Sequence, residues 1–388
     1  MPEPGAAALE RYRSGNALWV VDTALGFLLP GLILFTGASA ALRTLARRVA
    51  RSWLGTVVLY AVLLVILLHL LALPLAFYRE FIREHAYGLS NQTLGKWVGD
   101  AAKELAVSCV AAALVVWIPY LLLRRSPRRW WLYAGLAALP LLVLVHLVAP
   151  VYVAPLFNRF GPMRNKELEA RILALAERAG IEGSRVYEVE KSVDTRTVNA
   201  YVTGLGGTKR IVLYDTLLER LDPDEVLFVV GHEIGHYVLG HVRRFVVAAW
   251  LVIVLSLYLI HRAGEALVAR HRLRFGFDRL ADVASLPLLL ILAGATALAA
   301  SPLLLALSRR AEHEADRFGL ELTRENHAAA TAFVKLAALN LEVPRPGPIY
   351  TFFRASHPSL AERIEFANRY RPWAMGAPLR YGDRFAPP

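Results

Sequence analysis

The chain has 388 residues, 56% of them hydrophobic, and a formal net charge of +12. An apolar share above the roughly 45–50% of soluble domains excludes an ordinary soluble protein. The positive charge comes with no known nucleic-acid-binding motif, so it argues for lipid headgroups and against a nucleic-acid partner, and the single cysteine, Cys109, excludes an intrachain disulfide.

Length alone allows two or three domains, but the hydrophobicity is concentrated in runs. Uncharged stretches occupy 23–42, 52–78, 105–123, 130–158 and 283–308, and a shorter one, 245–260, is bracketed by Arg243, Arg244 and Arg262. A membrane helix needs roughly 17–25 apolar residues, and flanking arginines extend the reach of the short run by snorkelling. Six spans are therefore predicted, with Trp53, Tyr78, Trp130 and Trp131 placed as interface aromatics. The first run ends in "GASA" (37–40), a weak match to a signal-peptidase site, but its length and Pro30 favour an uncleaved anchor. Four regions follow: four spans in 1–153, a polar segment in 154–242, a two-span hairpin in 243–308 and a polar tail in 309–388.

Within the first polar segment, "NKELEARILALAERAG" (165–180) reads as an amphipathic helix closed by Gly180. The stretches 185–189, 198–204 and 210–215 read as short strands, the last two joined by the turn "LGGTK". A helix then starts at "DPDEVLFVVGHEIGHYVLGH": Asp222 caps it, Pro223 fits the first turn, and Glu225 completes a capping box.

That helix carries His232, Glu233 and His236. Residues four apart share a helix face, so the two histidines can hold one metal ion. Glu233 is rotated about 100° from His232, near the ion and free to act on water. This is the HExxH pattern of zinc hydrolases, in which zinc lowers the pKa of water toward about 7 and the glutamate takes the proton. The competing reading is a pair of core histidines at a membrane boundary. A third histidine at the metzincin spacing would fall on Val242, and His241 misses by one. The better third ligand is Glu312 in "SRRAEHEAD" (308–316), with Asp316 four residues on able to orient a ligating histidine; the alternative is a solvated acidic face. Between His236 and Glu312 lie two spans, and an even number of crossings returns Glu312 to the histidines' side.

The segments "HEIGHY", "SRRAEHEAD", "APLFNRFGP" (154–162), "NAYVTGLGGTKRIVLYDTLLE" (199–219) and "EHAYGLSNQTLGKWVGD" (84–100) together resemble the type I CaaX prenyl endopeptidases, membrane zinc proteases, from about residue 52 to about 370. The resemblance implies a mostly α, multi-pass fold, with about six spans in a barrel-like bundle and a small α+β gluzincin-type protease domain split between 154–242 and 309–388. It implies one zinc per chain on His232, His236 and Glu312, with Glu233 as general base and Asp316 in support. It further implies that "NAYV" is an edge strand taking the substrate backbone, with Asn199 and Tyr201 near the cleft, and that His357 and Arg363 of "HPSLAERI" touch substrate or the oxyanion. Eukaryotic members have seven spans, one more than the six counted here, and "DTRTV" (194–198) departs from their pattern.

The implied partners are peptide or protein substrates, lipidated or membrane-associated ones among them, and membrane lipids. Loops 43–51, 124–129 and 262–279 carry four, four and five arginines on one side, against twelve basic residues flanking the spans on the other. That difference does not orient the chain; the resemblance implies a zinc domain facing the cytoplasm. Two other readings use the same residues: a quality-control protease for membrane proteins, and a transporter or channel in which His69, His146, Asp22 and Glu233 line a path. His69 and His146 lie inside spans, where an interior hydrogen bond serves equally well, and both stay outside the catalytic set.

Overall fold

In the computed structural model, residues 3–181, 183, 185–203 and 210–385 are described. Among these residues six helices are long and apolar enough to cross a membrane: Ala6–Phe35, Trp53–Ala86, Leu94–Arg125, Trp130–Phe157, His241–Phe275 and Val283–Thr323. The count agrees with the sequence, but the first span does not end where its apolar run does. Gly37 takes φ +77° and breaks the chain after Phe35, and a separate helix, Ala38–Ala50, follows. "GASA" therefore lies at a helix junction, where the buried Ser39 Oγ is bonded to Tyr60 Oη and the Ala284 carbonyl, both at 2.6 Å. The short run 245–260 sits inside a helix of 35 residues, which rises about 50 Å against a hydrocarbon core of about 30 Å. Such helices carry their ends well out of the bilayer.

The spans are held by two cores at opposite ends. One gathers Leu34, Tyr60, Leu64, Tyr120, Trp130, Ile260, Phe275 and Leu288. Trp130, expected at the interface, is buried there and donates to His261 Nδ1 at 3.2 Å. These residues come from the end of the first span, the start of the second, and so on in alternation, so all lie on one face of the membrane. The other core belongs to the polar domain and packs Ile172, Leu213, Phe228, Ile234, Phe318 and Phe333. Between the two cores few span residues are buried among the described residues; the most apolar stretch of the fourth span has none.

The polar domain has a four-stranded sheet in the order β1 (Phe160–Pro162), β2 (Arg185–Val189), β4 (Arg210–Tyr214), β3 (Ala200–Thr203). Only the central β2–β4 pair is parallel, and β3 lies at the edge. The "LGGTK" turn expected between β3 and β4 lies outside the described residues. Helix Lys166–Arg178 is capped by the Asn165 side chain. The helix Pro223–Val238, here the histidine helix, opens on the expected capping box, Asp222 N donating to Glu225 Oε2 at 2.8 Å, and Lys335 bonds both carboxylates.

The histidine helix lies against the far end of the last span, and glycines set how close. A Cβ on Gly319 would fall 2.9 Å from the His232 amide nitrogen, and one on Gly235 would fall 3.0 Å from Phe318 Cβ. Alanine at 319 gains about 1 kcal/mol of helix propensity, but its methyl meets backbone, which has no flexible end to move; overpacking of about 1–3 kcal/mol wins. Gly319→Ala is expected to lower thermal stability in detergent, whereas Gly99→Ala, which meets nothing within 4 Å, leaves the midpoint unchanged or raises it. An unchanged midpoint for Gly319→Ala removes this close approach as a structural constraint.

Candidate metal centre

The histidine helix presents His232 and His236 one turn apart, with their Nε2 atoms 3.1 Å from each other. The last span brings Glu312 down between them, Oε2 lying 3.3 Å from His232 Nε2 and Oε1 3.3 Å from His236 Nε2. A tetrahedral ion with bonds of about 2.0–2.1 Å separates its ligand atoms by about 3.3–3.4 Å, so the three groups fit one zinc. Glu312 Oε2 is buried and makes no hydrogen bond, which a cation would remedy. Two imidazoles and a carboxylate are also a donor set that catalytic zinc takes. Among the described residues this is the group of three whose donor atoms converge in this way.

The surroundings tune these ligands. His232 Nδ1 lies 2.8 Å from Asp316 Oδ1, so the ring proton sits there and the Nε2 lone pair would be left free for a metal ion. Burial opposes charge on His232, but Asp316 and Glu312 outweigh it and push its pKa up to about 10; the field that favours a proton there favours a metal cation. Asp316 is gripped on both oxygens by Arg363, at 2.6 and 2.8 Å, and the guanidinium lies 4.2 Å over the Phe333 ring. Glu233 lines the cavity beside the histidines, and burial raises its pKa.

The other expected residues fall at different distances from this centre. His357 Nε2 comes within 3.3 Å of Glu312 Oε2. Its loop is held by Arg309, which donates to the carbonyls of Thr351 and Ala355, and Ser359 then caps the helix Leu360–Arg369 that carries Arg363. Arg363 is buried against Asp316 and also reaches the cavity wall. Asn199 lines the cavity with Val198 and Ala200. Tyr201 is on the edge strand but is not among the cavity-lining residues, because it faces opposite to Ala200.

The cavity, about 420 Å³, also has walls that sequence reasoning did not anticipate. Arg11, Tyr12 and Gly15, from the start of the first span, line it. Arg11 donates to the Asn340 carbonyl, the Gly347 amide donates to Tyr12 Oη, and Asn340 Oδ1 accepts from Val198 N beside the edge strand. The 84–100 segment docks the strand's approach: Asn91 N donates to the Asp194 carbonyl, Arg196 N to the Leu89 carbonyl, and Lys96 Nζ lies 2.8 Å from Asp194. His241 and Glu314 also stand close, the former bonded to His236.

Residues 162–371 match peptidase family M48, and residues 9–159 match the family described as CAAX prenyl protease N-terminal, five membrane helices; this chain has four helices of span length there. An uncharacterized metalloprotease, YhfN, of Bacillus subtilis is 41% identical over 283 residues, 73% of this chain and 66% of its own. The CAAX prenyl protease 1 homolog of Dictyostelium discoideum is 32% identical over 75% of this chain and 68% of its own, and CAAX prenyl protease 1 of Saccharomyces cerevisiae 28% over 76% and 68%. The chain thus spans about two thirds of the length of these relatives. The crystal structure of S. mikatae Ste24p has the same fold, with a TM-score of 0.83 over 94% of this chain and 88% of that one at 23% identity.

Metal analysis of purified protein is expected to find zinc near one equivalent. Substituting His236→Ala or Glu312→Ala should lower the content several-fold, and Glu233→Gln should leave it unchanged. Equal metal in all four proteins would remove these residues as ligands.

Proposed function

The chain belongs to peptidase family M48, and we propose that this multi-pass membrane protein is a zinc endopeptidase of the CaaX prenyl protease type. The observation that carries the reading is the convergence of His232, His236 and Glu312 on one point, with Glu233 beside His232 in the wall of the adjoining cavity. When bound, zinc lowers the pKa of water toward about 7 and polarises a scissile carbonyl. Glu233 is the general base: a carboxylate whose pKa burial raises is better matched to taking and returning a proton near neutral pH. His357, close to the Glu312 carboxylate, is placed to donate to the oxygen that gains charge as water adds to the peptide. Arg363 supports the positive field of that side while it holds Asp316.

The free edge of β3 beside Asn199 is suited to receive a peptide backbone as an added strand, extended through the cavity. The adjoining membrane half has few buried side chains, so it offers apolar surface on which a lipid-bearing residue can remain out of water while the peptide reaches Glu233. The zinc domain faces the cytoplasm in this reading. The transporter reading asks Asp22 to serve a path, but Asp22 is engaged by Arg79 at 2.8 Å, and the candidate ligands lie in the polar domain.

Purified enzyme should cleave a farnesylated CaaX peptide, prefer it to the unprenylated twin, and lose at least about a thousandfold in kcat on Glu233→Gln, within what a positioned base contributes together with orientation. Equal cleavage of both peptides, still lost in the variant, moves the function to membrane-protein quality control. Activity that survives Glu233→Gln overturns the mechanism.

A further inference from the structure

We propose that His241 and Glu314 are a positioning pair for His236, fixing which of its ring nitrogens faces the metal. The inference rests on the metal-centre reading above. The two histidine ligands differ in their support. His232 has a carboxylate, Asp316, directly on Nδ1. Among the described residues His236 has none on Nδ1, which lies 3.0 Å from His241 Nδ1, with the two rings nearly perpendicular at 76°. The other nitrogen of His241, Nε2, lies 3.2 Å from Glu314 Oε2. His241 is 1% exposed, so water does not replace either contact.

The direction of the hydrogen bonds follows from the end of the chain. A carboxylate only accepts, so His241 Nε2 carries its proton toward Glu314. The remaining nitrogen of a neutral His241 is then an acceptor, and His236 Nδ1 must be the donor. That leaves His236 Nε2 with a bare lone pair aimed at Glu312 and His232, as a metal ligand requires. Glu314 is itself fixed by Arg244 at 2.8 Å, with Arg310 at 3.5 Å.

The backbone explains how His241 gets there. Five residues along a continuous helix would turn it about 140° away from His236. Gly240 instead takes φ +65°, ends the histidine helix and starts the fifth span, which folds His241 back over His236. The helix of Glu312 supplies the rest. Glu312 faces both histidines, Asp316 reaches His232, and Glu314, between them in sequence, reaches the fifth span and His241.

The test uses the full-length protein in detergent, with zinc affinity read by competition against a chromophoric chelator and the ligand field read from the visible bands of the cobalt-substituted protein. His241→Leu keeps bulk and removes the acceptor; it is expected to weaken zinc about 10- to 100-fold and to shift the cobalt bands. His241→Asn places an amide oxygen where Nδ1 stood and is expected to restore affinity to within about threefold of the parent with the parent's spectrum, the scale of a retained second contact. Glu314→Ala, at a partly exposed position, should weaken zinc in the same direction and serves if His241→Leu does not fold. Leu and Asn variants that bind alike, or a Glu314→Ala protein with parental affinity and spectrum, overturn the positioning pair. Parent protein that binds no zinc overturns the metal centre itself, which separates the two failures.

Discussion

The contact on which the rest depends is the backbone-to-backbone approach of the histidine helix and the end of the last span. His232 and His236 belong to one element and Glu312 to another, 76 residues beyond His236 with two membrane crossings between. A glutamate side chain is short, so the helices must nearly touch for its two oxygens to reach two imidazoles at 3.3 Å. Gly231, Gly235 and Gly319 remove the methyl groups that would hold them apart. The glycines of "GHEIGH" each precede a histidine by one residue, about 100° around the helix, because the helix must be thin on the side that meets the last span.

Once the helices are that close, electrostatics organises itself around the last of them. Glu312, Glu314 and Asp316 bring three carboxylates within five residues of one helix, two of them buried. Left alone they would repel one another in a low-dielectric setting. Each has a distinct cationic or imidazole partner instead: Arg363 for Asp316, Arg244 for Glu314, and the two histidines for Glu312. Arg244 therefore does more than meet headgroups at the membrane surface. It ties the start of the fifth span to the end of the sixth across Glu314.

Much of this was legible from the sequence, and for local reasons. The capping box of Asp222 and Glu225 and the i, i+4 pair His232/His236 depend on residues within one helical turn of each other, so spacing suffices. Glu312 stood out in "SRRAEHEAD", and parity of membrane crossings, a topological rule that needs no coordinates, allowed it to share the histidines' side. The misses have the opposite character. The end of the first span follows a left-handed Gly37 that hydropathy cannot register. His241 misses the metzincin ligand spacing by one residue, and that spacing carries no sign of its contact with His236 Nδ1, which the turn at Gly240 creates. Arg11 and Tyr12 reach the cavity across more than 300 residues, and a composition that marks them as flank of a span carries no sign of that contact. Arg363, expected to touch substrate or the oxyanion, lines the cavity, but its buried pairing with Asp316 is a contact that no spacing announces.

The distribution of buried side chains bears on why this centre is built at a membrane boundary. A soluble protease cleft must keep its substrate's apolar parts in water until they bind. Here the spans are stapled at the far face by one core and at the near face by the protease domain, while the stretch between buries few side chains. The arrangement sacrifices burial in the membrane half, where apolar packing returns little because lipid is as apolar as leucine. It keeps dense packing in the polar domain, where water makes burial worth about 25 cal/mol per Å² and where ligand positions must hold to fractions of an ångström. Dense packing is thus placed around the candidate ligands and exposed apolar surface beside them, and the first span, whose extramembrane end lines the cavity, joins the two.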